Sequence, residues 1–196
     1  MSPTQQERTE ATTGSLLAAA RELFAADGYA ATSLDVVAAK AGVTKGALYH
    51  HFSGKRDLFA AVFAGEQAKL SRAVVAAAQE EEDPWEAFEA GAAAFVKACQ
   101  EPGVQRIFLL DAPSALGWAT IRQLESSSLK MMELGIQLAI DAGSIDRRPV
   151  EPLAHLLFGA VCESAMVVAR APDQRAALDE ALAELHRLLA SLSSSA

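Results

Sequence analysis

Lys40, Lys45, Lys55 and Arg56 are the charged residues between Val36 and Arg56, and no acid interrupts them. Among them lie Thr44, Tyr49, His50 and His51. Cations mixed with hydroxyl, aromatic and imidazole groups suit recognition of a polyanion better than bond-making chemistry. Lys45 is a candidate base reader, because an ammonium can donate to guanine O6 and N7, and Ala47 can touch a thymine methyl. Thr44 has two readings of equal weight, a phosphate or base contact and a helix cap. His50 and His51 are adjacent and diverge around a helix, with no acid or cysteine close in sequence, so no metal site is expected. HExxH, Glu-x-x-His, a Gly-rich phosphate loop and GxSxG are all missing, which leaves an all-α enzyme a poor rival.

The elements that must position these groups can be read from residues 32–57. Thr32 and Ser33 are good N-caps, and Asp35 completes a Thr-x-x-Asp capping box ahead of Val36 and Val37. Gly42 stops that helix, since glycine enters the left-handed region at little cost. Thr44 then caps a second helix, with Leu48 and Phe52 four apart on one face. Two short helices around a glycine turn predict a helix-turn-helix, whose second helix enters a DNA major groove. With Leu48 facing the core, Gly46 and His50 point most directly away, Ala47 and Tyr49 flank them, and Lys45 lies at the margin. Gly46 reads as close approach to DNA or as simple tolerance in a short helix.

Charge is unevenly divided. Up to Asp57 six bases (Arg8, Arg21, Lys40, Lys45, Lys55, Arg56) meet six acids (Glu7, Glu10, Glu22, Asp27, Asp35, Asp57), so the formal net charge of -8 arises wholly after Asp57. A local basic patch on an acidic chain favours an oriented contact over general adhesion to polyanions. The 196 residues are 51% hydrophobic but only 6% aromatic, and Ala and Leu dominate, which favours helix over sheet. The N-terminus is polar, and no apolar run approaches the roughly 20 residues of a bilayer span, so a cytoplasmic protein without membrane partners is expected. Cys99 and Cys162 form no metal or redox motif, and no cofactor is expected.

The stretch from Leu16 to Phe59 closely resembles the DNA-binding domain of the tetracycline-repressor (TetR) family of bacterial transcription regulators. The resemblance rests on Phe24-Ala25-Ala26-Asp27-Gly28-Tyr29, on the helix-turn-helix, and on Leu48-Tyr49-His50-His51-Phe52 followed by Lys55. It implies phosphate contacts from Thr32, Ser33, Tyr49, His51 and Lys55, a homodimer on a palindromic operator, and repression relieved by a small molecule. For Tyr49, a partly buried ring with a solvated hydroxyl is the plainer reading. The implied organisation is a flexible N-terminus (1–11), a helix-turn-helix domain (12–57), a helical effector-binding and dimerisation domain (58–192) and a tail (193–196).

Beyond the motif, helical patterning continues, giving about nine helices and an all-α fold. The first is expected over 12–26 and a fourth from Lys55 to the acidic run 80–82. A fifth opens at Asp83-Pro84-Trp85-Glu86, and a short one covers 104–110. One long helix then runs from Trp118 to Gly143, and two more follow Pro149 and Pro172. Leu153, Leu157, Ala160, Ser164 and Val168 form one seam; Leu178, Leu182, Leu185, Leu189 and Leu192 form another. Such seams build either an intramolecular hairpin or a four-helix bundle between two copies, and the resemblance favours the second. Phe88, Phe95, Phe108, Trp118, Met131, Met132, Phe158, Cys162 and Met166 either line an effector pocket or form plain core, with Arg122, His155 and Glu163 as polar anchors. Methionines repack around varied ligands, which favours an apolar or amphipathic effector. The remaining alternatives are a ligand-independent regulator, an activator and a redox sensor. The last is disfavoured because only Lys97 lies near either cysteine.

Overall fold

Ten helical stretches follow one another in the computed structural model, which describes residues 4–194; among these there is no strand, only an isolated Ile145–Ser193 bridge. They are α1 (Gln5–Ala31), α2 (Leu34–Lys40), α3 (Lys45–His51), α4 (Lys55–Ala78), α5 (Pro84–Ala98) and α6 (102–116). After these come α7 (Trp118–Leu124), α8 (Ser126–Ala142), α9 (Val150–Arg170) and α10 (Gln174–Ala190). The all-α architecture is the expected one.

Several boundaries differ from those expected, each for a local reason. Helix α1 begins at Gln5 because Thr4 and Glu7 form a reciprocal capping box, so the expected flexible N-terminus is helical from there; residues 1–3 lie outside the described residues. At the other end, the backbone bends at Gly28 (φ 82°, ψ 167°) and resumes through Ala31. Helix α6 is longer than expected: Pro102–Val104, a π-helical turn at Gln105–Asp111, and Ala112–Leu116 run on without a break. The long helix expected from Trp118 is divided near Glu125, giving ten stretches where nine were expected. The serine tail is anchored, since Ser194 N donates to Ser144 O at 2.9 Å; residues 195–196 lie outside the described residues.

The chain forms two compact units. The first comprises residues 1–66 with 102–121. Phe24, Leu48, Leu58, Phe59, Phe63 and Ile107 are fully buried there. Phe59 meets Phe24 and Tyr29 edge-on at 5.0 and 4.9 Å, and Phe63 stacks on Phe108 at 4.6 Å. Buried Glu66 is matched by Arg21 at 2.8 Å.

The second unit comprises residues 67–101 with 122–196. Its core joins Trp85, Val96, Ile136, Ala154, Leu157, Val161, Leu185 and Leu189, with α9 packed on α5, α8 and α10. Asp83 caps α5, accepting from Trp85 N and Glu86 N, and its other oxygen accepts from Ser144 Oγ at 2.6 Å. Trp85 Nε1 donates to Leu189 O at 3.1 Å, which satisfies the buried indole. By length and composition α9 alone among the described helices could cross a bilayer, contrary to the expectation of no such segment. Here it packs as a core helix carrying Glu151, His155 and Glu163 on exposed positions.

Candidate nucleic-acid interface

Helices α2 and α3 are joined by the glycine turn the sequence predicts. Gly42 has φ 69°, and Val43 N donates back to Ala38 O at 3.0 Å. Thr44 caps α3, its Oγ1 accepting from Ala47 N at 3.1 Å, so the capping role is realised. Buried Leu48 anchors α3 and turns Lys45, Gly46, Tyr49 and His50 outward, with Ala47 half-buried. Tyr49 is half exposed. His51 is half-buried, its Nδ1 3.1 Å from Thr13 Oγ1.

Two residues expected at phosphates have partners within the fold. Thr32 is buried, and its hydroxyl donates to Gly28 O at 2.8 Å, closing the end of α1. Its place as cap of α2 is taken by Ser33, whose Oγ accepts from Val36 N at 3.3 Å. Lys55 donates to Ala30 O at 3.1 Å and Thr32 O at 2.9 Å, with its ammonium 4.6 Å from the Tyr29 ring centroid. Two of its three donors therefore satisfy carbonyls at the end of α1. Val36, in the apolar run that follows the caps, is 51% exposed on α2.

The other cations are also held by their own fold. Lys40 pairs with Glu22 at 2.8 Å and Lys45 with Asp35 at 2.7 Å. Arg56 donates to Leu116 O at 2.5 Å and to Thr120 Oγ1 at 3.0 Å. The bond from Asp35 raises the Lys45 ammonium above its ordinary value, and the bond from Lys40 lowers the Glu22 carboxyl. Asp35 was read as part of a capping box. The signal for its real partner is an acid ten residues ahead of a lysine, across a tight turn.

The seam residues expected to join two copies are largely interior. Leu157, Val168, Leu185 and Leu189 are buried in the second unit, and Leu153, Ala160, Ser164, Leu178, Leu182 and Leu192 are half-buried. The first four therefore serve the unit's own core, while the other six retain exposed surface. On α9 and α10 the large apolar groups left exposed are Leu156, Val167 and Leu188, and α8 adds Leu134 and Leu138. Leu156 and Val167 are eleven residues apart, three helical turns, and so share a face of α9.

The expected pocket residues divide between the units. Phe88, Phe95, Met131, Met132, Phe158, Cys162 and Met166 belong to the second, whereas Phe108 and Trp118 belong to the first. Phe108 is core, and Trp118 is 67% exposed. Arg122 lies over the Phe158 ring at 5.4 Å and pairs with Glu125 at 3.9 Å. Burial pushes the Glu125 carboxyl up, against the lowering effect of Arg122. Burial also pushes the Cys99 and Cys162 thiols up to about 12, which works against a thiolate sensor.

Known proteins agree with this geometry. Residues 16–62 match the family model for bacterial regulatory proteins of the tetR family, and residues 85–192 match the tetracyclin repressor-like C-terminal domain. The Transposon Tn10 TetC protein of Escherichia coli is 32% identical over 126 residues, 64% of this chain and 62% of that protein. The chain thus spans less than two thirds of that relative's length. A TetR-family transcriptional regulator from Pectobacterium atrosepticum superposes with a TM-score of 0.87 at 35% identity, covering 98% of this chain and 99% of the other. A gamma-butyrolactone receptor superposes with a TM-score of 0.63 at 25% identity, covering 95% and 89%. With a family model over more than half its length and a helix-turn-helix whose outer face is built as described, the chain belongs to the TetR family of bacterial transcriptional regulators.

Proposed function

We propose that this protein is a cytoplasmic homodimeric repressor that holds a palindromic operator and leaves it when a small apolar or amphipathic effector binds. The carrying observation is the outer face of α3, where Lys45, Gly46, Tyr49 and His50 stand exposed over a buried Leu48. Ser33, Thr44, Ala47 and His51 border that face, and Lys55 keeps one donor for a phosphate. Two copies would place two recognition helices on half-sites about 34 Å apart. Residues 12–57 read DNA, and residues 58–192 dimerise and sense the effector. In the latter, Phe88, Phe95, Met132, Phe158, Cys162 and Met166 supply apolar contact, and Arg122 with Glu125 a polar anchor. The match of residues 85–192 to the repressor-like C-terminal model, and the likeness to a gamma-butyrolactone receptor, favour a small-molecule effector.

The test is selection of genomic DNA fragments by the purified protein, beside a Lys45→Ala, Tyr49→Phe double mutant. An enriched palindrome that the mutant loses supports the reading. No enrichment at low salt, where phosphate contacts are strongest, would count against it.

A further inference from the structure

Asp35 is the sole acid between Ser33 and Arg56, in a stretch that otherwise suits a polyanion. Its carboxylate does not cap α2, because Ser33 does. It lies 2.7 Å from Lys45 Nζ, and both side chains are more than half exposed. We propose that Asp35 is a specificity-determining residue: it holds the Lys45 ammonium back from phosphates and releases it only where a base edge compensates.

On any duplex, a paired Lys45 offers less charge to phosphates and Asp35 is repelled by them, so binding without base contacts weakens. On the right base pair the couple is complementary. Guanine offers O6 and N7 to a lysine, and the cytosine paired with it offers an amino group to a carboxylate. The exposed pair is itself weak, so the penalty on scrambled DNA comes chiefly from Asp35 repelling phosphates, and the exchange of partners opposes binding little where both base contacts form. The ordinary alternative is an acid placed near the start of α2 for its dipole, with an incidental lysine partner. That alternative predicts a small loss of fold stability on removing Asp35 and no change in discrimination.

The inference rests on the DNA-binding reading above, and one experiment separates the two. Fluorescence anisotropy would follow wild type, Asp35→Asn, Lys45→Ala and the double mutant. The probes are the selected operator duplex and a scrambled duplex of equal composition, titrated at several KCl concentrations. Thermal melts by circular dichroism confirm that each variant is folded. Asp35→Asn is expected to tighten binding to scrambled DNA and to lower the operator-to-scrambled ratio about tenfold, within the range of one well-placed base contact. Its salt slope on scrambled DNA should steepen by about 0.9, one further phosphate contact. An unchanged ratio, or an Asp35→Asn effect that persists undiminished in the Lys45→Ala background, would overturn the proposal. Wild-type protein that fails to prefer its selected duplex would overturn the DNA-binding reading as well.

Discussion

A methyl group added at Gly46 would meet only Thr44 Oγ1, at an ordinary 3.9 Å, so nothing within the free protein requires glycine there. Glycine inside a helix costs about 1 kcal/mol relative to alanine, so its place on the outer face of α3 fits close approach to DNA, with simple tolerance in a short helix as the alternative. Gly46→Ala should therefore raise the melting temperature, as an increase of up to about 1 kcal/mol in stability would, while weakening operator affinity. Equal operator affinity in wild type and variant would remove the close-approach argument. This part of the site was legible in the sequence because one buried residue, Leu48, sets the wheel for all of α3. Thr32 and Lys55 were not legible in the same way. Their partners are carbonyls at the end of α1, exposed only because the backbone bends at Gly28 instead of stopping there.

That bend couples elements far apart in sequence. A Cβ at residue 28 would lie 2.2 Å from Arg106 Nη2, and φ of +82° disfavours any side chain. Arg106 comes from the π-helical turn of α6 and donates to Asp27 O at 3.3 Å, while Asp111 accepts from Tyr29 N at 2.7 Å. Gly28→Ala should thus destabilise the first unit for two reasons, steric and conformational. Arg106→Ala should remove the first and leave roughly 1–3 kcal/mol of backbone strain, a non-additive cycle that urea unfolding resolves. Full rescue by Arg106→Ala would contradict the strain. The sequence marks Gly28 as a helix stop, but a π-helical turn has no compositional signature, and an arginine 78 residues away cannot be matched to it by pattern. In the second unit α5 offers a clearer case. Its cap, Asp83, was legible from Asp-Pro-Trp-Glu, yet its shortest bond comes from Ser144. That bond, with the amides of Glu86 and Trp85, holds the Asp83 carboxyl below its ordinary value. The folded state therefore favours the ionised form. The stabilisation is complete above about pH 4 and is lost as pH falls through the lower folded value. Asp83→Asn should flatten the acid limb of the stability–pH curve, and an unaltered limb would assign the acid sensitivity elsewhere.

At the scale of the whole molecule, the leucine pattern of α9 and α10 shows why periodicity finds a core more readily than an interface. A stripe repeating every three and four residues specifies a helix that packs, but not whether its neighbour belongs to the same chain. Here Leu157, Leu185 and Leu189 meet the unit's own core, together with Trp85 and Val96, and the fully exposed apolar positions fall off the pattern. Leu156 is 72% exposed on the same face as Val167 at 54%, and Gly159 lies exposed between them. This face, which also carries exposed Glu163 between the two, is a candidate for pairing between copies. The two leucines adjacent in sequence should then respond in opposite ways. Leu157→Ala removes buried methyl groups and should reduce stability by about 2–5 kcal/mol, seen as a fall in melting temperature. Leu156→Glu replaces a solvent-facing leucine, so the monomer should keep its helical signal while sedimentation reports dissociation. Operator affinity should fall steeply with it, because a single α3 reads one half-site and loses the contribution of the second. A Leu156→Glu protein that still sediments as a dimer would move the interface off this face of α9. A monomeric variant that binds the full operator as tightly as wild type would separate dimerisation from DNA recognition altogether.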